Sequence, residues 1–124
     1  MKILVIDDDL AVSEFFKTAL ESWGYTVDTA ATGAAGLEVF KQGTYDVVLT
    51  DYLMPGMTGR EVATALRRHS PSVPVILISG AALDDQLDAT RPGNFTVLQK
   101  PLPLADLKAA VDQAAGAPPP LVSG

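Results

Sequence analysis

Residues 46–61 read Asp46-Val-Val-Leu-Thr-Asp-Tyr-Leu-Met-Pro-Gly-Met-Thr-Gly-Arg-Glu61. Val47, Val48 and Leu49 form an apolar run of strand length, and Asp51 stands just beyond it. The Pro55-Gly56 pair breaks the chain. Thr58 and Glu61 have the spacing of a capping box, in which a hydroxyl and a carboxylate each satisfy a backbone N–H at a helix start. A helix is therefore predicted from there, with Val62, Ala65 and Leu66 on its buried face and Ser70-Pro71 ending it. The segment thus reads as a buried strand that ends in a carboxylate, then turns into a capped helix.

The same unit recurs on either side. Ile3 to Ile6 is a fully apolar run stopped by Asp7-Asp8-Asp9. Val12, Phe15, Phe16, Ala19, Leu20 and Trp23 follow at the spacing of one helix face, and Gly24 closes that helix. Tyr25 to Ala30 reads as a second strand. Leu37, Val39 and Phe40 lie in a second helix stopped at Gly43, although Gly33 and Gly36 each weaken a helix interior. Beyond the central segment, Val73 to Ile78 is a strand followed directly by Ser79-Gly80. Ala81 to Thr90 carries a weak helical pattern, cut short by Thr90-Arg-Pro-Gly-Asn94. Phe95 to Leu98 is a fifth strand, and Lys100-Pro101 comes next. Pro103 opens a last helix through Leu104, Leu107, Ala110 and Val111. Five strands alternating with five helices predict an α/β domain: a doubly wound, five-stranded parallel sheet with five flanking helices. The strands are apolar throughout rather than alternating, so both sheet faces should be covered.

Size and charge narrow the class. The 124 residues suit one domain, expected over residues 1–115, with a Pro-rich tail or linker over 116–124. The net charge is -6. An acidic chain repels a phosphate backbone, so direct nucleic-acid binding is not expected. Without cysteine there is no disulfide, thiolate metal site or cysteine nucleophile. No apolar run reaches the ~20 residues that span a bilayer. The apolar N-terminus is short for a secretory signal, so a cytoplasmic location without membrane attachment is expected.

Ligands of open parallel sheets bind beyond the carboxyl ends of the strands. This chain places Asp7, Asp8 and Asp9 after the first strand, Asp51 after the third, Ser79 after the fourth and Lys100 after the fifth. Taken singly, each is more often a cap, a turn residue or a solvated charge. Together they assemble carboxylates, a hydroxyl and an amine at one edge. Gathered carboxylates repel one another, and a hard cation such as Mg²⁺ relieves the conflict through oxygen ligands. An aspartate in such a setting can act as a nucleophile towards a phosphoryl group, forming an acyl phosphate.

On the segments Ile3–Asp9, Asp46–Gly59, Val75–Gly80 and Leu98–Pro101, the chain resembles the receiver domain of bacterial response regulators. The resemblance implies a flavodoxin-like receiver fold that takes a phosphoryl group from a histidine kinase or histidine phosphotransfer protein and switches an output partner. It implies Asp51 as phosphoacceptor and Mg²⁺ held by Asp7, Asp8, Asp51 and the backbone carbonyl of Leu53. Ser79 and Lys100 would contact the phosphoryl oxygens, and the Lys100–Pro101 bond would be cis. Asp9, one place beyond the usual acidic pair, is read as a helix N-cap. No cofactor besides Mg²⁺ is implied.

Two departures stand out. Many receivers carry an aromatic residue three places before the lysine, where this chain has Val97, with Phe95 two residues earlier. The short helical pattern over 81–90 belongs to the face through which many receivers contact their output or pair as homodimers, so partner and dimer state stay open. Apolar Leu53, two places past Asp51, cannot orient a water, and slow autodephosphorylation is expected. Two other readings remain. One is a haloacid-dehalogenase-like phosphatase with Asp7 as nucleophile. It lacks the acidic pair expected after the lysine. The other is a receiver-like interaction module that works without phosphorylation.

Overall fold

A computed structural model describes residues 2–54, 56–70, 73–79, 95–99 and 103–114. The elements in chain order are β1 (Lys2–Ile6), α1 (Leu10–Ser22), β2 (Thr26–Ala30), α2 (Gly33–Gln42), β3 (Val47–Asp51), β4 (Leu53–Met54), β5 (Met57–Thr58), α3 (Gly59–His69), β6 (Val75–Ser79), β7 (Phe95–Gln99) and α4 (Leu104–Ala114). The expected helix over 81–90 and the tail over 116–124 lie outside the described residues.

Five strands form one sheet in the order β2-β1-β3-β6-β7, and every neighbouring pair in it is parallel. Strand order reverses at β1, between β2 and β3, which is the switch point where such sheets open a crevice. The main chain there runs Ile6↔Thr50 between β1 and β3 and Asp51↔Ile78 between β3 and β6. The ends of β1, β3 and β6 are therefore level with one another.

Both sheet faces are covered, as continuous apolar strands require. Leu4, Ile6, Val48, Val75 and Leu77 pack with Phe40 of α2 and with Val62, Ala63 and Leu66 of α3. Ile3, Val5, Val47, Leu49, Ile76 and Ile78 pack with Phe16 and Leu20 of α1 and with Leu107 and Val111 of α4. The neighbours Ile76 and Leu77 are both fully buried on opposite faces, as the two-residue period of a strand dictates. Each such side chain stabilises the fold by roughly 1.5–3 kcal/mol relative to exposure.

Local signals explain the boundaries. The capping box at Thr58 and Glu61 is formed, with the Glu61 N–H donating to the Thr58 hydroxyl (3.2 Å) and the Thr58 N–H to the Glu61 carboxylate (2.8 Å). Gly24 ends α1 at φ +96°, a conformation that costs glycine nothing. Gly36 solves the puzzle of a glycine inside α2. A Cβ there would lie 2.4 Å from Cδ1 of Ile6, so its absence lets α2 close on β1.

Two expected core positions face outward instead. Phe15 is 54% exposed and Leu104 is 41% exposed. The inward-facing position on α1 is taken by Ser13, whose hydroxyl donates back to the Asp9 carbonyl (3.2 Å) and so satisfies its own burial.

Candidate functional site

The site forms where β1 and β3 end side by side. β1 delivers Asp7 and Asp8 one and two residues past Ile6, and β3 delivers Asp51 as its last residue. Asp7, Asp8 and Asp51 each offer a carboxylate oxygen within 4.8 Å of the others. Asp7 is buried, Asp51 half-buried and Asp8 exposed, so the cluster opens to solvent on one side. The Asp7 N–H donates to the Ala30 carbonyl (3.0 Å), and an Asp7 carboxylate oxygen accepts from the Asp9 N–H (2.9 Å). That second bond holds the turn leading into α1.

Asp9 takes no part in the cluster. It is the N-cap of α1, its carboxylate accepting from the N–H groups of Ala11 (2.9 Å) and Val12 (3.4 Å). Ser79 ends β6, the strand beside β3, and is 1% exposed. Lys100 and the Lys100–Pro101 bond fall outside the described residues. Val97 lies in β7 in register with Leu77, and Phe95 with Val75.

The main chain just past Asp51 is tightly held. β4 and β5 form a two-residue hairpin pairing Leu53 with Thr58, turned at Gly56 with φ +88°. The Tyr52 N–H donates to the Ile78 carbonyl (2.8 Å), and the Gly59 N–H donates to the Tyr52 carbonyl (2.6 Å). The Thr50 hydroxyl, 1% exposed, donates to the Asp51 carbonyl (3.1 Å). A Cβ on Gly59 would stand 2.6 Å from that same carbonyl oxygen and 2.9 Å from the Tyr52 Cα. The sequence reading gave neither Thr50 nor Gly59 a role. The available signal was a lone hydroxyl inside an otherwise apolar strand.

The donor set suits a hard cation. It consists of carboxylate oxygens with no sulfur or imidazole, close enough together for one ion to touch all three.

The family model described as response regulator receiver domain matches residues 3–112. Transcriptional regulatory protein QseB of Escherichia coli O157:H7 is 32% identical over 113 residues, which are 90% of this chain and 52% of QseB. The aerobic respiration control sensor protein ArcB of Escherichia coli K12 is 33% identical over 114 residues, 90% of this chain but 15% of ArcB. The chain thus spans about half or less of these relatives. A response regulator receiver domain protein from Clostridium thermocellum superposes with a TM-score of 0.86 at 35% identity, covering 93% of this chain and 94% of that one. TrrA of Thermotoga maritima, solved in complex with Mg²⁺-BeF, superposes with a TM-score of 0.80 at 30% identity, covering 91% of this chain and 97% of that one. The chain belongs to the response regulator receiver domain family, the signalling switch module of two-component systems. Among the described residues no helix is long and apolar enough to cross a membrane.

Proposed function

We propose that this receiver takes a phosphoryl group on Asp51, with Mg²⁺ held by Asp7, Asp8, Asp51 and the Leu53 backbone carbonyl. The observation that carries the reading is the meeting of three carboxylates at the switch point of the sheet. Bound there, Mg²⁺ would supply positive charge against the carboxylates and the phosphoryl oxygens. The chain's own residues do the rest. Asp51 presents a carboxylate oxygen for in-line attack on phosphorus, forming an acyl phosphate as the donor's leaving group departs. Ser79, buried at the end of β6, is placed to follow the new charge beside Asp51 through its hydroxyl, and Lys100 is the amine assigned to the same oxygens. Asp7 fixes the entry into α1 through the Asp9 N–H while belonging to the acidic cluster. Apolar Leu53 provides no group to orient a hydrolytic water, and the acyl phosphate is accordingly long-lived. A half-life of seconds in the purified protein would contradict that.

The donor in this reading is a histidine kinase or histidine phosphotransfer protein, and the output is a partner or effector domain that senses the switched face. The receiver unit is assigned to 1–115, with 116–124 as a linker or tail. The setting is the cytoplasm, with neither nucleic acid nor membrane as direct ligand. A homodimer through the face containing β7 and α4 is one output of the switch.

The test is intact mass spectrometry after incubation with Mg²⁺ and phosphoramidate, beside an Asp51→Asn variant. One added phosphoryl group on the wild type and none on the variant is the expected result. Phosphorylation of the variant would move the nucleophile to Asp7. No phosphorylation of either protein, even with a kinase, would leave a module that acts through contacts alone.

A further inference from the structure

Thr50 is out of place in its strand by composition. Its neighbours in β3 are Val47, Val48 and Leu49, and its Cα partners across the sheet are Ile6 and Leu77. It shares a face with Val48, towards the core beneath α2 and α3. Valine has the same shape and would fill the position without burying a hydroxyl, which is costly unless the hydroxyl is bonded. The bond it makes is to the carbonyl of Asp51. Gly59 reaches the same carbonyl from the first turn of α3, on the same side of the sheet, with no room for a Cβ between them.

We propose that Thr50 is a positioning residue for phosphoryl transfer. With Gly59 it clamps the Asp51–Tyr52 main chain and so fixes the line along which the Asp51 carboxylate approaches phosphorus. The inference rests on the assignment of Asp51 as phosphoacceptor.

Three constraints converge on two residues. The hydroxyl holds the Asp51 carbonyl from below, the Gly59 N–H holds the Tyr52 carbonyl (2.6 Å), and the Tyr52 N–H is tied to Ile78 of β6 (2.8 Å). In-line displacement needs the attacking oxygen aligned with the breaking bond, and small misplacements are expensive. Past Asp51 the β3 main chain keeps the Tyr52–Ile78 bond to β6, and the Thr50 hydroxyl and Gly59 hold it from the α3 side. Removing the hydroxyl frees the main chain that carries the nucleophile while leaving the carboxylate, the other acidic residues and the packing volume in place.

The experiment measures initial phosphorylation rates with phosphoramidate at saturating Mg²⁺, on folded full-length protein, for wild type, Thr50→Val, Thr50→Ser and Asp51→Asn. Leu20→Ala, a fully buried α1 position on the other face of the sheet, serves as a destabilised control. Thr50→Val is expected to lower the maximal rate roughly tenfold with little change in the donor concentration at half-maximal rate. Its thermal stability should fall less than that of Leu20→Ala, because one hydrogen bond to the Asp51 carbonyl is lost while the packing volume is kept. Thr50→Ser should stay within about twofold of wild type, since it keeps the hydroxyl. Leu20→Ala should lose stability with its rate nearly unchanged. Equal rates for Thr50→Val and wild type, while Asp51→Asn stays unphosphorylated, would overturn the positioning role alone. A slow Thr50→Val matched by an equally slow Leu20→Ala would also overturn it, because the loss would then follow stability. A wild type that takes no phosphoryl group on Asp51 removes both readings together.

Discussion

The two ends of the sheet treat acidic side chains in opposite ways. At the amino-terminal end the carboxylates meet donors. Asp28 of β2 accepts from the Tyr45 hydroxyl (2.7 Å) and lies 3.4 Å from the Lys2 amine, which also sits 5.0 Å from the centre of the Tyr45 ring. Asp46 accepts from the Lys2 N–H (2.8 Å). Asp112 of α4 takes the Tyr25 hydroxyl and the Lys108 amine (2.7 Å), which ties the last helix to the start of β2. At the carboxyl-terminal end, Asp7, Asp8 and Asp51 are brought against one another. One end spends its charges on local bonds that define the fold. The other gathers three carboxylates, and in the proposed function a bound cation would relieve their mutual repulsion.

Removing one carboxylate from each end separates these roles most sharply. Asp8→Ala should lower the phosphoramidate rate by about two orders of magnitude and abolish its dependence on Mg²⁺. Asp28→Ala should leave that rate within about twofold while costing about 1 kcal/mol of stability, because the Tyr45 hydroxyl loses its acceptor. Phosphorylation kinetics and urea denaturation of both variants check the pair. A comparable fall in rate for Asp28→Ala would mean that the two ends are not independent.

A smaller effect of opposite sign is expected within the cluster. Asp7→Asn keeps an oxygen to accept from the Asp9 N–H but removes one buried charge facing two others. In EDTA the variant should be more stable than wild type by about 1 kcal/mol. Added Mg²⁺ should raise the melting temperature of the wild type and leave that of the variant nearly unmoved. Loss of stability in EDTA would show that the contacts Asp7 makes as a carboxylate outweigh its repulsion from Asp8 and Asp51, and that the two ends of the sheet differ less than their geometry suggests.

Much of this contrast was legible in the sequence because strand ends are marked abruptly. Apolar runs that stop at Asp7, Asp51 and Ser79 locate the carboxyl edge, and the Thr58–Glu61 spacing fixes where α3 begins. Parallel pairing then forces these ends together. Other features depend on tertiary partners and left no periodic trace. Gly36 looked like a helix weakness until Ile6 was seen against it. Phe15 carried the helical spacing of a core residue, yet the inward turn belongs to Ser13. The tyrosine–aspartate pairs join residues 17 and 87 positions apart, beyond the reach of local pattern. Thr50 and Gly59 converge on one carbonyl only once α3 has folded back over β3.

Those tyrosine–aspartate pairs give the smallest predicted effect, and it is confined to the pH extremes. The Tyr45 hydrogen bond, aided by Lys2, holds the Asp28 carboxyl below its ordinary 3.8. Burial works against Asp112, but hydrogen bonds from Lys108 and Tyr25 outweigh it and bring that carboxyl below 3.8 as well. A carboxyl lowered in the folded state binds fewer protons there than when unfolded, so its stabilisation is present above the ordinary value and is lost as pH falls through the folded one. The phenols move the other way. Burial first, and then the neighbouring carboxylate, push Tyr25 and Tyr45 up to about 12 from an ordinary 10.0. Between those values the folded state retains phenolic protons that the unfolded chain has lost, so stability falls as pH rises from 10 towards 12. Replacing both tyrosines by phenylalanine should flatten the alkaline limb and weaken the acid one, with phosphorylation at neutral pH unaltered. Chemical denaturation across the pH range reads the two limbs separately. An alkaline limb that survives in the double variant would place the responsible group away from this end of the sheet.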